Sequence, residues 1–145
     1  MLGSCSSLLS SIGKRWVLAG AIAFAASALP EDVTQQAEAA LQAGHAKDAE
    51  ALVRTALAKG DRPDLHRMLG DCLEAEGDFK NAAVEYRTAA TADPSEPNLF
   101  AFGSELLKYR GYPQAVQVFS YAAAHFPGSA RIIVGLGIGQ YSTGQ

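Results

Sequence analysis

This sequence predicts an all-α fold built as a solenoid of antiparallel helix pairs, on three observations. The chain repeats itself at an interval of 33 residues. Within each copy, apolar residues recur three and four positions apart, the spacing of one face of a helix. Glycine or proline marks the ends of those periodic stretches. Composition agrees: the body is rich in Ala and poor in β-branched residues between Pro30 and Gly128, which favours helix over strand.

The repeat carries most of this weight. A shift of 33 aligns Gly70 with Gly103, Gly77 with Arg110 and Phe79 with Tyr112. It also aligns Ala82 with Ala115, Tyr86 with Phe119, Ala89 with Ala122 and Pro94 with Pro127. Upstream, Gly44, Ala49, Val53 and Ala56 match Gly77, Ala82, Tyr86 and Ala89. Downstream, a shift of 34 brings Leu136-Gly137 onto Phe102-Gly103 and Gly144 onto Arg110. The copies span about 30–62, 63–95 and 96–128, with a half-copy over 129–145. The first is degenerate, with Ala37 where Gly70 stands in the second and Asp61 in the place of Pro94.

Each copy reads as two helices. In "PDLHRMLGDCLEAEG", Leu65, Met68, Leu69, Cys72 and Leu73 form one apolar face. Pro63 suits the first turn, and Gly77 lies just past the end as a C-terminal cap. In "DFKNAAVEYRTAATADP", Phe79, Ala82, Ala83, Tyr86, Ala89 and Ala90 form the face, Asp78 caps the start and Pro94 blocks continuation. Gly70, Gly103 and Gly137 have a different task. Without a Cβ they let the neighbouring helix come close, at a cost of about 1 kcal/mol in helix propensity. Ala82 and Ala115 serve the same approach from the second helix, while Tyr86 and Phe119 fill the space between pairs.

The N-terminal segment reads differently. In "KRWVLAGAIAFAASALPED", Lys14 and Arg15 supply positive charge, Trp16 to Phe24 a short apolar run, and Ala26-Ser27-Ala28 an A-x-A site. That is the anatomy of a secretory signal peptide over 1–28, with cleavage expected between Ala28 and Leu29. The expectation is export to the periplasm, envelope or medium of a bacterium. The alternatives are an uncleaved anchor, or a cytoplasmic protein whose apolar first helix packs on the body. The run is shorter than the roughly 20 apolar residues that span a bilayer. "LGSC" (Leu2 to Cys5) resembles a lipoprotein box, but no charged and apolar leader precedes it.

Charge and cysteine usage exclude some functions. Twelve basic against fifteen acidic residues give a net charge of −3; without Lys14 and Arg15 it is ten against fifteen, or −5. A mildly acidic body lacks the basic face that non-specific nucleic-acid binding requires. Cys5 and Cys72 make no CxxC pair, and Cys72 falls on an apolar helix face as a small buried residue.

The repeated positions resemble the tetratricopeptide repeat family, whose signature is Leu-Gly in the first helix, then Ala, an aromatic and a closing Pro. Leu69-Gly70, Leu73, Ala82, Tyr86, Ala89 and Pro94 fit it throughout; Phe102-Gly103, Leu106, Ala115, Phe119, Ala122 and Pro127 fit almost as well. The resemblance runs from Pro30 to the end. A period of 33 is also that of ankyrin repeats, and Pro63-Asp64-Leu65-His66 is similar to their opening, but the other copies lack it.

The resemblance implies a right-handed superhelix whose first helices line a concave groove that binds an extended peptide or a partner's helix. Carried onto this chain, the inward positions are Glu31, Thr34 and Glu38, then Asp64, Arg67, Asp71 and Glu74. They continue with Phe100, Ser104 and Leu107, then Arg131, Val134 and Tyr141. The groove should be acidic in its N-terminal half and apolar in its C-terminal half, suited to a basic and aliphatic peptide of another protein. The competing reading is that these carboxylates merely keep a concave surface soluble. The family's carboxylate clamp uses two Lys, one Arg and two Asn. Its positions hold Thr34, Glu38, Met68, Pro97 and Ala101 in one frame, and Arg67, Asp71, Ala101, Arg131 and Gly135 in the other. Neither builds the clamp, so no chaperone partner of that kind is expected.

Catalytic, cofactor and metal readings find no support in the sequence. His45, His66 and His125 fall in a turn, near a helix start and at a helix end, with no two at ligand spacing. Ser104 and Glu105 have no His on the same face. Gly135, Gly137 and Gly139 lie in a helical register without the strand and Lys of a phosphate loop. The expected function is a non-catalytic scaffold that needs no cofactor. One alternative is a self-assembling subunit joined through residues 130–141, where Ile132, Ile133, Val134, Leu136 and Ile138 predict an exposed apolar patch. The other is a regulatory arm of a longer protein continuing beyond Gln145.

Overall fold

The structure, a computed structural model, describes residues 32–144. The leader, its cleavage site, Cys5 and Glu31 lie outside the described residues. Among those described, seven helices follow one another with no strand. They are α1 (Val33–Gln42), α2 (Ala46–Leu57), α3 (Pro63–Ala75), α4 (Phe79–Ala92), α5 (Glu96–Lys108), α6 (Tyr112–His125) and α7 (Ala130–Thr143).

Local sequence explains where each pair turns. Three residues separate α1 from α2, α3 from α4 and α5 from α6, so the two helices of each pair run antiparallel. In each of these turns one residue takes a left-handed backbone: Gly44 (φ +80°), Gly77 (φ +83°) and Arg110 (φ 59°). The positions are 33 apart, so the sequence repeat is also a repeat of backbone conformation. Glycine adopts that conformation without steric penalty; Arg110 does not. The carboxylate of Asp78 accepts the Asn81 backbone N–H at 3.3 Å and caps α4, and Ser129 Oγ accepts the N–H of Ile132 at 3.4 Å and caps α7. Pro94 and Pro127 sit, exposed, just past the ends of α4 and α6.

Packing gives the array its curvature. Besides the helices adjacent to it in the chain, α3 touches α1 and α5, and α5 touches α7. The second helices α2, α4 and α6 make no such contacts with one another. The first helices therefore line the inner, tighter side, as expected for an α-solenoid of helix pairs.

The interior is divided into two clusters. One gathers Ala37, Ala49, Val53, Leu65, Leu69, Cys72, Ala82 and Tyr86 from α1 to α4; the other gathers Leu99, Ala115, Phe119, Ala122 and Ile132 from α5 to α7. A Cβ built on Gly70 would lie 2.7 Å from the Tyr86 ring, and one on Gly103 would lie 2.6 Å from Phe119 Cζ. These glycines are buried because an aromatic ring occupies the space a side chain would need. Gly137 departs from expectation. It keeps the register of Gly70 and Gly103, but a Cβ there would meet nothing within 4 Å. The glycine of α7 that receives a ring is Gly135, two residues earlier, with Phe119 Cζ at 2.5 Å from the same construction. The reason lies in helix geometry: Gly135, Ile132 and Gly139 share the buried face of α7, and Gly137 falls on the opposite side.

Candidate functional site

The first helices enclose a cleft of ≈ 360 Å³ on the inner side. From α3 it takes Arg67, Asp71 and Glu74; from α5, Pro97, Phe100, Ala101, Ser104, Glu105 and Lys108; from α7, Arg131; and from α4 only Tyr86. The helical repeat explains the α3 set, because Arg67, Asp71 and Glu74 are spaced four and three apart and so share one face.

A connected polar network fills the N-terminal part. Arg67 donates to Asp71 Oδ2 at 3.1 Å. The Tyr86 hydroxyl lies 2.8 Å from Asp71 Oδ1 and 3.0 Å from Glu74 Oε2. Lys108 pairs with Glu74 across the helices and lies 3.7 Å from Glu105 Oε2. Burial raises the pKa of Asp71, although its bonds to Tyr86 and Arg67 oppose the shift. The Tyr86 hydroxyl is also raised, by burial and then by the charge of Asp71. Glu105 is raised by burial and then by the charge of Glu74, and Lys108 by its hydrogen bond to Glu74.

The C-terminal part combines an aromatic with an ion pair. Arg131 Cζ stands 4.7 Å from the centre of the Phe100 ring, within cation–π range. Arg131 Nε donates to Glu96 Oε1 at 2.6 Å, and Ser129 Oγ donates to the same oxygen at 2.5 Å. The bonds from Arg131 and Ser129 hold the Glu96 carboxyl down at about 2. The expected division into an acidic and an apolar half is thus too simple, since a guanidinium covers the aromatic.

Of the residues proposed for the groove from sequence, Arg67, Asp71, Glu74, Phe100, Ser104 and Arg131 line this one cleft. Glu38 is exposed on α1 outside it, close enough for its charge to act on Asp71. Asp64 pairs instead with Arg62 at the start of α3. Leu107 is no groove residue either: it packs against the second interior cluster, because that side of α5 faces α6 and α7. Val134 and Tyr141 are exposed on α7 outside the cleft.

Sequence reading missed Tyr86 as a hydrogen-bond donor, Glu105 as a groove residue, and Lys108 altogether. One signal was available. Glu74 and Lys108 are 34 residues apart, and Glu96 and Arg131 are 35 apart. Opposite charges at about one repeat length lie side by side on neighbouring first helices. A second, more apolar cleft of ≈ 650 Å³ lies between α4, α5 and α6, lined by Phe79, Phe102, Leu106 and Tyr109 among others, and Glu105 borders both. No group of His, Cys, Asp and Glu among the described residues is arranged to hold a metal ion, and no described helix is long and apolar enough to cross a membrane.

Residues 34–97 match the family model described as tetratricopeptide repeat. That segment is built of tetratricopeptide repeats. The match covers α1 to α4, and the 33-residue register carries the same pattern on through α5 and α6. Two solved structures share this tetratricopeptide fold. The MamA RS-1 ArsTM double mutant is 22% identical with a TM-score of 0.67, over 79% of this chain and 67% of that one. MamA 41-end from Desulfovibrio magneticus RS-1 is 21% identical with a TM-score of 0.65, over 77% of this chain and 67% of its own. No curated protein shows significant sequence similarity to the chain. A fold of this kind is in general a protein-interaction scaffold.

Proposed function

We propose that the concave cleft binds an extended peptide or a helix of another protein, and that the chain acts as a non-catalytic recruiting module. The observation that carries this reading is the cleft itself. It is formed by three successive first helices, and it mixes charged side chains with the apolar wall of Pro97, Phe100 and Ala101. A peptide lying along it would meet hydrogen-bonding groups and apolar surface together, the combination that fixes both orientation and affinity. Selection of peptides from a random displayed library tests this. Binders should be recovered, and the double variant Arg67→Ala/Asp71→Ala should lose them while keeping its helical circular dichroism. Recovery of no binder, or unchanged binding by the double variant, would reject the groove.

A second reading rests on α7, where Ile133 (52% exposed), Val134, Ile138 and Tyr141 (87%) form an exposed apolar stripe. Under it the chain self-associates through residues 130–141. Ile133→Asp should then shift the sedimenting species to monomer without affecting peptide capture. Export is a separate proposal, supported by the charged, apolar and A-x-A parts of residues 14–28. The intact mass of the native protein from fractionated cells decides it: a start at Leu29 in the envelope or medium supports export, and a retained Met1 in the cytoplasm opposes it.

A further inference from the structure

The acidic end of the cleft is short of positive charge and of hydrogen-bond donors. Among the described residues, Asp71, Glu74 and Glu105 form ion pairs with Arg67 and Lys108 alone, and the remaining cation of the cleft, Arg131, is held by Glu96. Arg67 is committed to Asp71, and Lys108 is divided between Glu74 and Glu105. The Tyr86 hydroxyl has one proton but touches two carboxylates, so it can satisfy only one of them at a time. The decisive atom is Glu105 Oε1. Its side chain is 3% exposed, it borders this cleft as well as the more apolar one, and this oxygen has no hydrogen-bond partner among the described residues. A buried carboxylate oxygen left without a donor is costly, and such atoms mark places where a group is missing.

We propose that this end of the cleft is a subsite for one cationic side chain, an ammonium or guanidinium, of the bound peptide. The inference rests on the groove reading above and adds the chemistry of its ligand. An ammonium brings one positive charge and three donors, which matches the deficit. Lys108 serves as an internal stand-in. It is the last residue of α5, 46% exposed, and its ammonium already lies between Glu74 and Glu105. When the peptide's cation enters, Lys108 swings out to solvent on its flexible stem and the incoming group reaches both carboxylates. Pro97, Phe100 and Ala101 then receive the apolar neighbours of that basic residue.

The stand-in makes an unusual expectation: removing a cation that lines the site should tighten binding of a cationic ligand. The probe is a phage-displayed library of peptides with ten randomised residues, selected separately on the full chain, on Lys108→Met and on Glu105→Gln. Lys or Arg should be enriched at one position among binders of the unmodified chain. The best binder should lose roughly tenfold in affinity when that residue becomes norleucine, as expected for a charge-assisted hydrogen bond. Lys108→Met should widen this gap and Glu105→Gln should close it, with circular dichroism showing both variants folded. If binders appear that depend on Arg67 and Asp71 but show no basic enrichment, the groove stands and the subsite is overturned. If basic binders are recovered but Lys108→Met weakens them, the stand-in role is overturned. If no binder is recovered, groove and subsite fall together. Should Glu105→Gln fail to fold, Glu74→Gln with Lys108→Met supplies the same test, and an unchanged norleucine gap there rejects the subsite.

Discussion

Phe119 is held between Gly103 and Gly135. A Cβ on the first would come within 2.6 Å of its ring, and a Cβ on the second within 2.5 Å. The ring is fully buried, so it cannot retreat from one glycine without pressing on the other. One aromatic of α6 thereby fixes how closely α5 and α7 approach, and it joins a complete helix pair to the helix that follows.

A graded set of glycine substitutions checks this arrangement. Gly103→Ala and Gly135→Ala should each destabilise the fold by about 1–3 kcal/mol, the usual cost of overpacking a filled interior. Gly137→Ala should do the opposite. Its Cβ meets nothing within 4 Å, so only the better helix propensity of Ala remains, and stability should rise by about 0.5–1 kcal/mol. Urea unfolding of the three variants measures all of this. Equal losses at Gly135 and Gly137 would contradict the burial described.

Arg110 should be a site of local strain. It holds the left-handed turn position that glycine holds at 44 and 77, with φ at 59°. A side chain in that conformation costs about 1 kcal/mol or more, and the residue is exposed, so few contacts repay the cost. Arg110→Gly should raise stability by about 0.5–1 kcal/mol. Gly77→Arg should lower it by a similar amount. Thermal unfolding at a single pH reads both changes.

The same repeat explains why the fold was legible in the sequence. Ala82 and Ala115, Tyr86 and Phe119, and the left-handed positions 44, 77 and 110 each encode a local or near-neighbour requirement, so they recur at the period of the array. The groove was only partly legible. Asp71 and Glu74 could be placed on a face by helical spacing, but Lys108 enters the site from another helix, and its partner lies 34 residues away. From sequence, Glu105 is weighed only beside Ser104 as a catalytic candidate without a His, because burial and a missing donor are tertiary facts. Gly137 misled because register alone gives its place along α7 but says nothing of whether a ring stands opposite. Glu38 and Asp64 misled for a related reason: an inward position on one helix reaches the cleft only where the neighbouring first helix closes over it.

His66 should make stability depend on pH in the neutral range. Its Nδ1 lies 2.6 Å from Glu85 Oε2 on α4, and its Nε2 lies 2.7 Å from Asp61 Oδ1 in the preceding loop. Burial alone would lower its pKa, but the hydrogen bonds to Glu85 and Asp61 outweigh it and the net shift is upward. A histidine whose pKa is raised by folding stabilises the protein below its unfolded pKa of about 6.5, and the contribution fades as pH rises through the higher folded value. The unfolding midpoint should therefore be higher at pH 6 than at pH 8.5. His66→Gln should flatten that difference, and so should Glu85→Gln. A wild-type midpoint unchanged over this interval, or a slope that survives in both variants, would show that the imidazole is not the sensor.

Glu96 should act in the opposite direction and at lower pH. Hydrogen bonds from Arg131 and Ser129 tie α5 to α7 and hold its carboxyl at about 2, below the ordinary 4.5. A carboxylate whose pKa falls on folding stabilises fully above its unfolded pKa, and the contribution is lost as pH drops from about 4.5 toward about 2. Asp71 and Glu105 oppose this, since their pKa values rise on folding and their ionisation costs stability at higher pH. A single acid titration therefore mixes both signs. The difference between the chain and Glu96→Gln separates them, because Asp71 and Glu105 contribute equally to each. Wild type should be the more stable at pH 7, and the gap should narrow steadily between pH 4.5 and pH 2. The pair is partly solvated, so added salt should narrow the gap at pH 7 as well. A gap that stays constant down to pH 2 would mean that Glu96 acts through packing and neutral hydrogen bonds rather than through its charge.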